Sequence, residues 1–170
     1  MYKKILYLSF VVIVLSGCLK DSKQLPDPPN CNYDVCSVKA PDDEIDKLKA
    51  YLTSKNITAT QHCSGVFYSI EDFGTGTTPD ICSFIVATYT GKLTSGYVFD
   101  QGQFQSPIQL GNLIKGWIAT IPLIKQGGII HLYIPPSLGY GSQDKTGNGG
   151  IIIIPANSIL IFDIKLDSVL

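Results

Sequence analysis

The chain contains no arginine; all 13 of its basic side chains are lysines. Bidentate capture of a carboxylate or phosphate by a planar guanidinium is therefore excluded. Thirteen cations against 14 acids leave a formal net charge of −1, and the lysines form no basic stripe, so nucleic acid is not an expected partner. Histidine is scarce as well. His62 and His131 are too few and too isolated for a hydrolase, and no Gly-x-Ser-x-Gly nucleophile elbow occurs. The glycines at Gly147, Gly149 and Gly150 lack the Lys-Ser/Thr and the helix that follow in a phosphate-binding loop. There is no internal repeat, and the apolar run from Ile5 to Gly17 is shorter than the roughly 20 residues that cross a bilayer.

That short run is informative for what surrounds it. Lys3 and Lys4 precede it, Ser16 and Gly17 close it, and Cys18 follows, which is the layout of a secretory signal covering residues 1–17. Leu15-Ser16-Gly17-Cys18 resembles the bacterial lipobox, and the resemblance implies that Cys18 is lipidated and becomes the mature N-terminus. Each buried methylene of an acyl chain contributes about 0.8 kcal/mol, so a multiply acylated Cys18 would hold the chain on a membrane. Leu19 is not the acidic residue associated with inner-membrane retention in some bacteria, which points to the outer membrane of the cell envelope. Removing 17 residues from 170 leaves 153, enough for one domain with a substantial core. Residues 19–30, LKDSKQLPDPPN, are polar with three prolines and read as a semi-rigid spacer. Residues 18–41 as a whole form the tether.

Cys31, Cys36, Cys63 and Cys82 remain. An even number in an exported chain favours disulfides. Three connectivities are open; Cys31 with Cys36 is the most local, which leaves Cys63 with Cys82. The alternative is zinc on Cys31, Cys36, His62 and Cys63, but that set lacks the usual C-x2-C spacing.

Pro41-Asp42-Asp43-Glu44 precedes apolar residues at Ile45, Leu48, Tyr51 and Leu52, the spacing of a helix over about 42–55 with acids in its first turn. With its linker this segment occupies 42–64. From Gly65 the period changes to that of strands, at 66–70, 82–90, 96–99, 106–110, 128–134 and 158–167. Residues 113–124 are the other helical stretch, and Pro122 keeps that helix short. The fold class is α+β, an antiparallel sheet packed on a helix. Residues 141–150, GSQDKTGNGG, read as a mobile loop.

The order of motifs adds to this reading. Tyr89-Thr90-Gly91, Val98-Phe99-Asp100, Leu113-Ile114-Lys115-Gly116-Trp117, Leu132 to Pro136 with Leu138-Gly139-Tyr140-Gly141, and Ile154 to Ser158 with Leu160-Ile161-Phe162-Asp163 follow one another. Over residues 65–170 this order resembles the FKBP-type peptidyl-prolyl cis-trans isomerases. The resemblance implies a twisted antiparallel sheet wrapped on a short helix, here with an extra N-terminal helix as in some bacterial lipoprotein members. It implies no cofactor and no metal.

The chemistry such a fold performs breaks no covalent bond. Amide resonance sets a barrier of about 18–20 kcal/mol to rotation, and a twisted amide has lost that resonance and much of its charge separation. A dry apolar pocket therefore favours the twisted form. The resemblance assigns the catalytic set to Trp117 as floor, the Tyr140 hydroxyl as donor to a substrate carbonyl, the Ile154 backbone N–H in a similar part, and Asp100 as the pocket carboxylate with Tyr89 as its hydrogen-bond partner. Tyr89, Phe99, Leu113, Ile114, Ile153 and Phe162 are assigned to substrate binding. The chain departs from the pattern in two ways. No arginine stands beside Asp100, and 101–110 is shortened and carries Pro107 and Ile108 where aromatics are expected; Phe104 is the ring available to fill one of those places. The expected partners are proline-containing polypeptides, with macrolides binding weakly. The alternative is a non-catalytic module that docks proline-containing chains or acts as a chaperone.

Overall fold

The computed structural model describes Cys31 and residues 33–170. The expected signal at 1–17, Cys18 and the spacer at 19–30 lie outside the described residues. Among the described residues no helix is long and apolar enough to cross a membrane.

Helix α1 spans Asp42–Ser54, and Asp42, Asp43 and Glu44 in its first turn meet the positive end of the helix dipole. Its apolar positions Ile45, Leu48 and Leu52 are buried. The chain leaves the helix through Asn56, which adopts φ 55°, a conformation that asparagine tolerates better than most side chains.

The sheet is formed by β1 (Thr60–Gln61), β2 (Phe67–Asp72), β3 (Phe84–Leu93), β4 (Val98–Gln103), β5 (Ile108–Gln109), β6 (Ile129–Ile134) and β9 (Leu160–Val169). The spatial order is β1-β2-β6-β9-β3-β4, with β5 pairing the start of β3. All pairings in the sheet are antiparallel. Alternation along β6 and β9 buries Ile130, Leu132 and Ile134 with Leu160, Phe162, Ile164 and Leu166 on one face. Helix α2, Lys115–Thr120, lies on that face. A Cβ on Gly116 would come within 2.6 Å of Ile134 atoms, so the glycine is what lets helix and strand approach. Pro122 then sits in a single 3-10 turn, Ile121–Leu123, and α2 stops after 6 residues as its proline requires.

Two features depart from the expected layout. Residues 141–150 are not wholly a loop: β7 (Lys145–Thr146) pairs antiparallel with β8 (Ile152–Ile154), closed through Gly149 and Gly150 at φ 75° and 76°. A glycine-rich composition conceals a hairpin whose turn needs glycine. The most local cysteine pairing is also wrong. The bonds join Cys31 to Cys82 and Cys36 to Cys63. Residues 33–40 make a turn closed by the Ser37 N–H donating to the Asp34 carbonyl at 3.0 Å, and the Ala40 N–H then donates to the Ser64 carbonyl, between β1 and β2, at 2.8 Å. Cys36 and Cys63 fall within reach of His62, but each is bonded to the other and neither is a thiolate, which removes the four-ligand zinc set.

Candidate active site

A hollow of about 90 Å³ opens between the inner face of the sheet and α2, lined by Tyr89, Asp100, Phe104, Leu113, Ile114, Trp117, Tyr140 and Phe162. Each residue reaches it for a local reason. Leu113 and Ile114 lead into α2 and Trp117 lies in its first turns. The indole is 3% exposed and meets Phe162 edge-on at 5.4 Å and Tyr89 at 5.8 Å. Its Nε1 is buried without a hydrogen-bond partner among the described residues.

Phe104, just beyond β4, stands 5.9 Å from the indole and 5.3 Å from the Tyr89 ring. The shortened 101–110 segment therefore still delivers one ring to the pocket. Gly91 makes room on the neighbouring strand: a Cβ there would lie 2.6 Å from Phe99 ring atoms and 2.9 Å from Phe162. Phe99 packs edge-on against Phe162 at 5.6 Å.

The polar groups gather at the mouth. The β3–β4 hairpin pairs Gly91 with Asp100, and across it the Tyr89 hydroxyl donates to Asp100 Oδ2 at 2.7 Å. Burial, then that hydrogen bond and the Asp100 charge, push the Tyr89 hydroxyl up to about 12. Tyr140 follows the 3-10 turn Pro136–Leu138. The turn is closed by the Gly141 N–H donating to the Pro136 carbonyl at 2.8 Å. The Tyr140 ring is 37% exposed, and its hydroxyl is also raised, by burial first and by Asp100 second. Both phenols remain protonated donors at neutral pH.

Phe99, Ile153 and Ile154 lie outside the lining of this hollow. With Asp100, Tyr140 and Lys145 they line a second one of about 350 Å³, which shares Asp100 and Tyr140 with the first. Lys145 was not among the expected site residues; it lies in the segment whose composition reads as loop, and no sequence signal marks it. The arrangement as a whole can enclose a small apolar ring over an indole, present the Tyr140 hydroxyl as a donor to a carbonyl at its rim, and exclude water from the amide between them. It offers no nucleophile.

The sequence model of the FKBP-type peptidyl-prolyl cis-trans isomerases matches residues 76–167. A protein of Haemophilus influenzae named as a probable FKBP-type peptidyl-prolyl cis-trans isomerase is 41% identical over 128 residues, which are 73% of this chain and 50% of that protein. The peptidyl-prolyl cis-trans isomerase Mip of Coxiella burnetii is 34% identical over 130 residues, 73% of this chain and 54% of the relative. The crystal structure of FkpA from Escherichia coli superposes with a TM-score of 0.62 at 31% identity, covering 75% of this chain and 60% of that one. The chain spans about half the length of the relatives it matches in sequence.

Proposed function

The chain belongs to the FKBP-type peptidyl-prolyl cis-trans isomerase family, and we propose that it accelerates cis/trans exchange at X-Pro bonds of exported or envelope polypeptides, assisting their folding. Uncatalysed exchange takes tens to hundreds of seconds at 25 °C, slow enough to limit folding. The observation that carries the proposal is the apolar hollow over the Trp117 indole with two protonated hydroxyls at its mouth. A prolyl ring seated on the indole loses water on both sides of the amide, so the planar, charge-separated ground state loses more than the twisted one. Tyr140 donates to the substrate carbonyl, Asp100 holds the mouth through Tyr89, and Ile154 offers its backbone N–H from β8. Phe99 and Ile153 extend the apolar wall.

The same proposal carries the chain layout: a signal at 1–17, a lipidated Cys18 on a tether to residue 41, α1 and its linker at 42–64, and the isomerase domain at 65–170. Lipidation would place the domain at the envelope, on the outer membrane. The bacterial relatives bearing the FkpA and Mip names support an envelope or periplasmic setting. Macrolides bind the pocket more weakly than in arginine-bearing members, because no cationic side chain among the described residues pairs with Asp100.

The test is the exchange rate of an Ala-Leu-Pro-Phe peptide, measured by NMR with the full chain and with Tyr140→Phe and Trp117→Ala variants. Acceleration that falls in both variants supports the isomerase. A folded chain that binds the peptide but leaves its exchange rate unchanged shows instead a docking or chaperone module.

A further inference from the structure

The second hollow shares Asp100 and Tyr140 with the first, so the two adjoin. Its other walls are Phe99, Ile153 and Ile154, all apolar, and its one cation is Lys145. That lysine is held in place. It pairs in register with Ile154 across the β7–β8 hairpin, and its ammonium lies 5.7 Å from the centroid of the Tyr140 ring.

Lys145 has no direct counter-ion among the described residues. It makes no ion pair with any described residue, as the seven salt bridges among the described residues all involve other groups. The acids nearby are Asp144, which accepts the Ala156 N–H at 2.7 Å, and Asp100, which accepts the Tyr89 hydroxyl at 2.7 Å; neither forms an ion pair with the ammonium. Beyond the hollow, Ile151 and Ile152 continue the wall outward at 69% and 52% exposure. A half-buried, positioned ammonium set in an apolar trough is complementary to a carboxylate flanked by apolar side chains.

We propose that this hollow binds the substrate segment adjoining the proline and that Lys145 selects an acidic side chain there. The proposal rests on the isomerase reading for where the proline sits. It makes Lys145 a specificity-determining residue supplied by the β7–β8 hairpin, in a chain that has no arginine to offer.

The test compares peptides that differ only by Glu or Gln, placed one or two residues before or after the proline, with NMR exchange rates measured on the full chain. At one of these positions Glu is favoured over Gln by about two- to fivefold, the range of a partly exposed ion pair. The ratio shrinks at about 0.5 M salt, falls to one in Lys145→Gln and drops below one in Lys145→Glu. Equal rates for Glu and Gln at every position would overturn the proposal, as would a preference that survives Lys145→Glu. If no peptide is isomerised, the isomerase reading fails, and the same Glu/Gln ratio read as affinity from the fluorescence of Trp117, the single tryptophan, still decides whether Lys145 selects an acid.

Discussion

Glu44 and Ser137 stand 93 residues apart in the chain and are joined by two hydrogen bonds, with one carboxylate oxygen of Glu44 accepting the Ser137 backbone N–H at 2.9 Å and its hydroxyl at 2.8 Å. Helix α1, which lies before the residues matched by the family model, thus clamps the turn that delivers Tyr140. Hydrogen bonds to a charged acceptor contribute about 1.5–3 kcal/mol. Glu44→Ala is expected to lose about 2 kcal/mol in urea unfolding and to lower kcat/KM at temperatures where the variant is fully folded. An unchanged kcat/KM would make α1 a stabilising element only.

The Tyr89 hydroxyl gives the stability a specific alkaline signature. Its value in the folded chain is raised to about 12, above the ordinary value near 10. Below pH 10 both folded and unfolded chains carry the proton and the full contribution is present. Between about pH 10 and 12 the unfolded chain ionises first, so this contribution is lost as pH rises. The thermal midpoint of the native chain should therefore fall more steeply over that window than that of Tyr89→Phe. Parallel curves would refute the raised value of the Tyr89 hydroxyl, which burial causes first and Asp100 second.

Gly91 is a packing requirement of the pocket rather than of the strand. Its Cβ would strike Phe99 and Phe162, both rings of the aromatic cluster against the indole. Gly91→Ala is expected to cost about 1–3 kcal/mol, the usual range for overpacking, and to weaken peptide binding measured by Trp117 fluorescence. A variant of native affinity would show that the rings can move aside.

Two disulfides close loops of 51 and 27 residues. In the chain-entropy account each such loop removes about 3.5–4 kcal/mol of unfolded-state freedom. Reduction should lower the thermal midpoint well beyond a few degrees, and Cys36→Ser with Cys63→Ser should reproduce part of the loss. Since both bonds anchor the segment that precedes α1, hydrogen exchange should rise first in α1 and at Ser137. Uniform loosening of the whole sheet would contradict that order.

The legible parts of this protein are those encoded in short stretches. Ile45, Leu48 and Leu52 announce α1 by their spacing, and the apolar residues from Leu160 to Leu166 announce β9. Pro122 ends α2 wherever α2 packs. Tyr89 and Asp100 are 11 residues apart, and a hairpin between them suffices to bring hydroxyl to carboxylate. Phe104 was visible as an available ring, but only the path of the chain beyond β4 brings it beside Trp117.

The rest depended on distance in three dimensions. Cys31 bonds to Cys82, 51 residues away, and Cys36 to Cys63, 27 away, pairings that no local propensity reveals. Lys145 looked like one polar residue among glycines, and only the pairing of β7 with β8 turns it toward Tyr140. From its own order of residues the chain determined an antiparallel sheet on a short helix, because periodicity acts over a few neighbours. The tertiary structure alone decided which cysteines bond, that Glu44 holds the turn to Tyr140, and that Lys145 overlooks the pocket, because these contacts join segments tens of residues apart whose meeting is set by packing of the whole sheet.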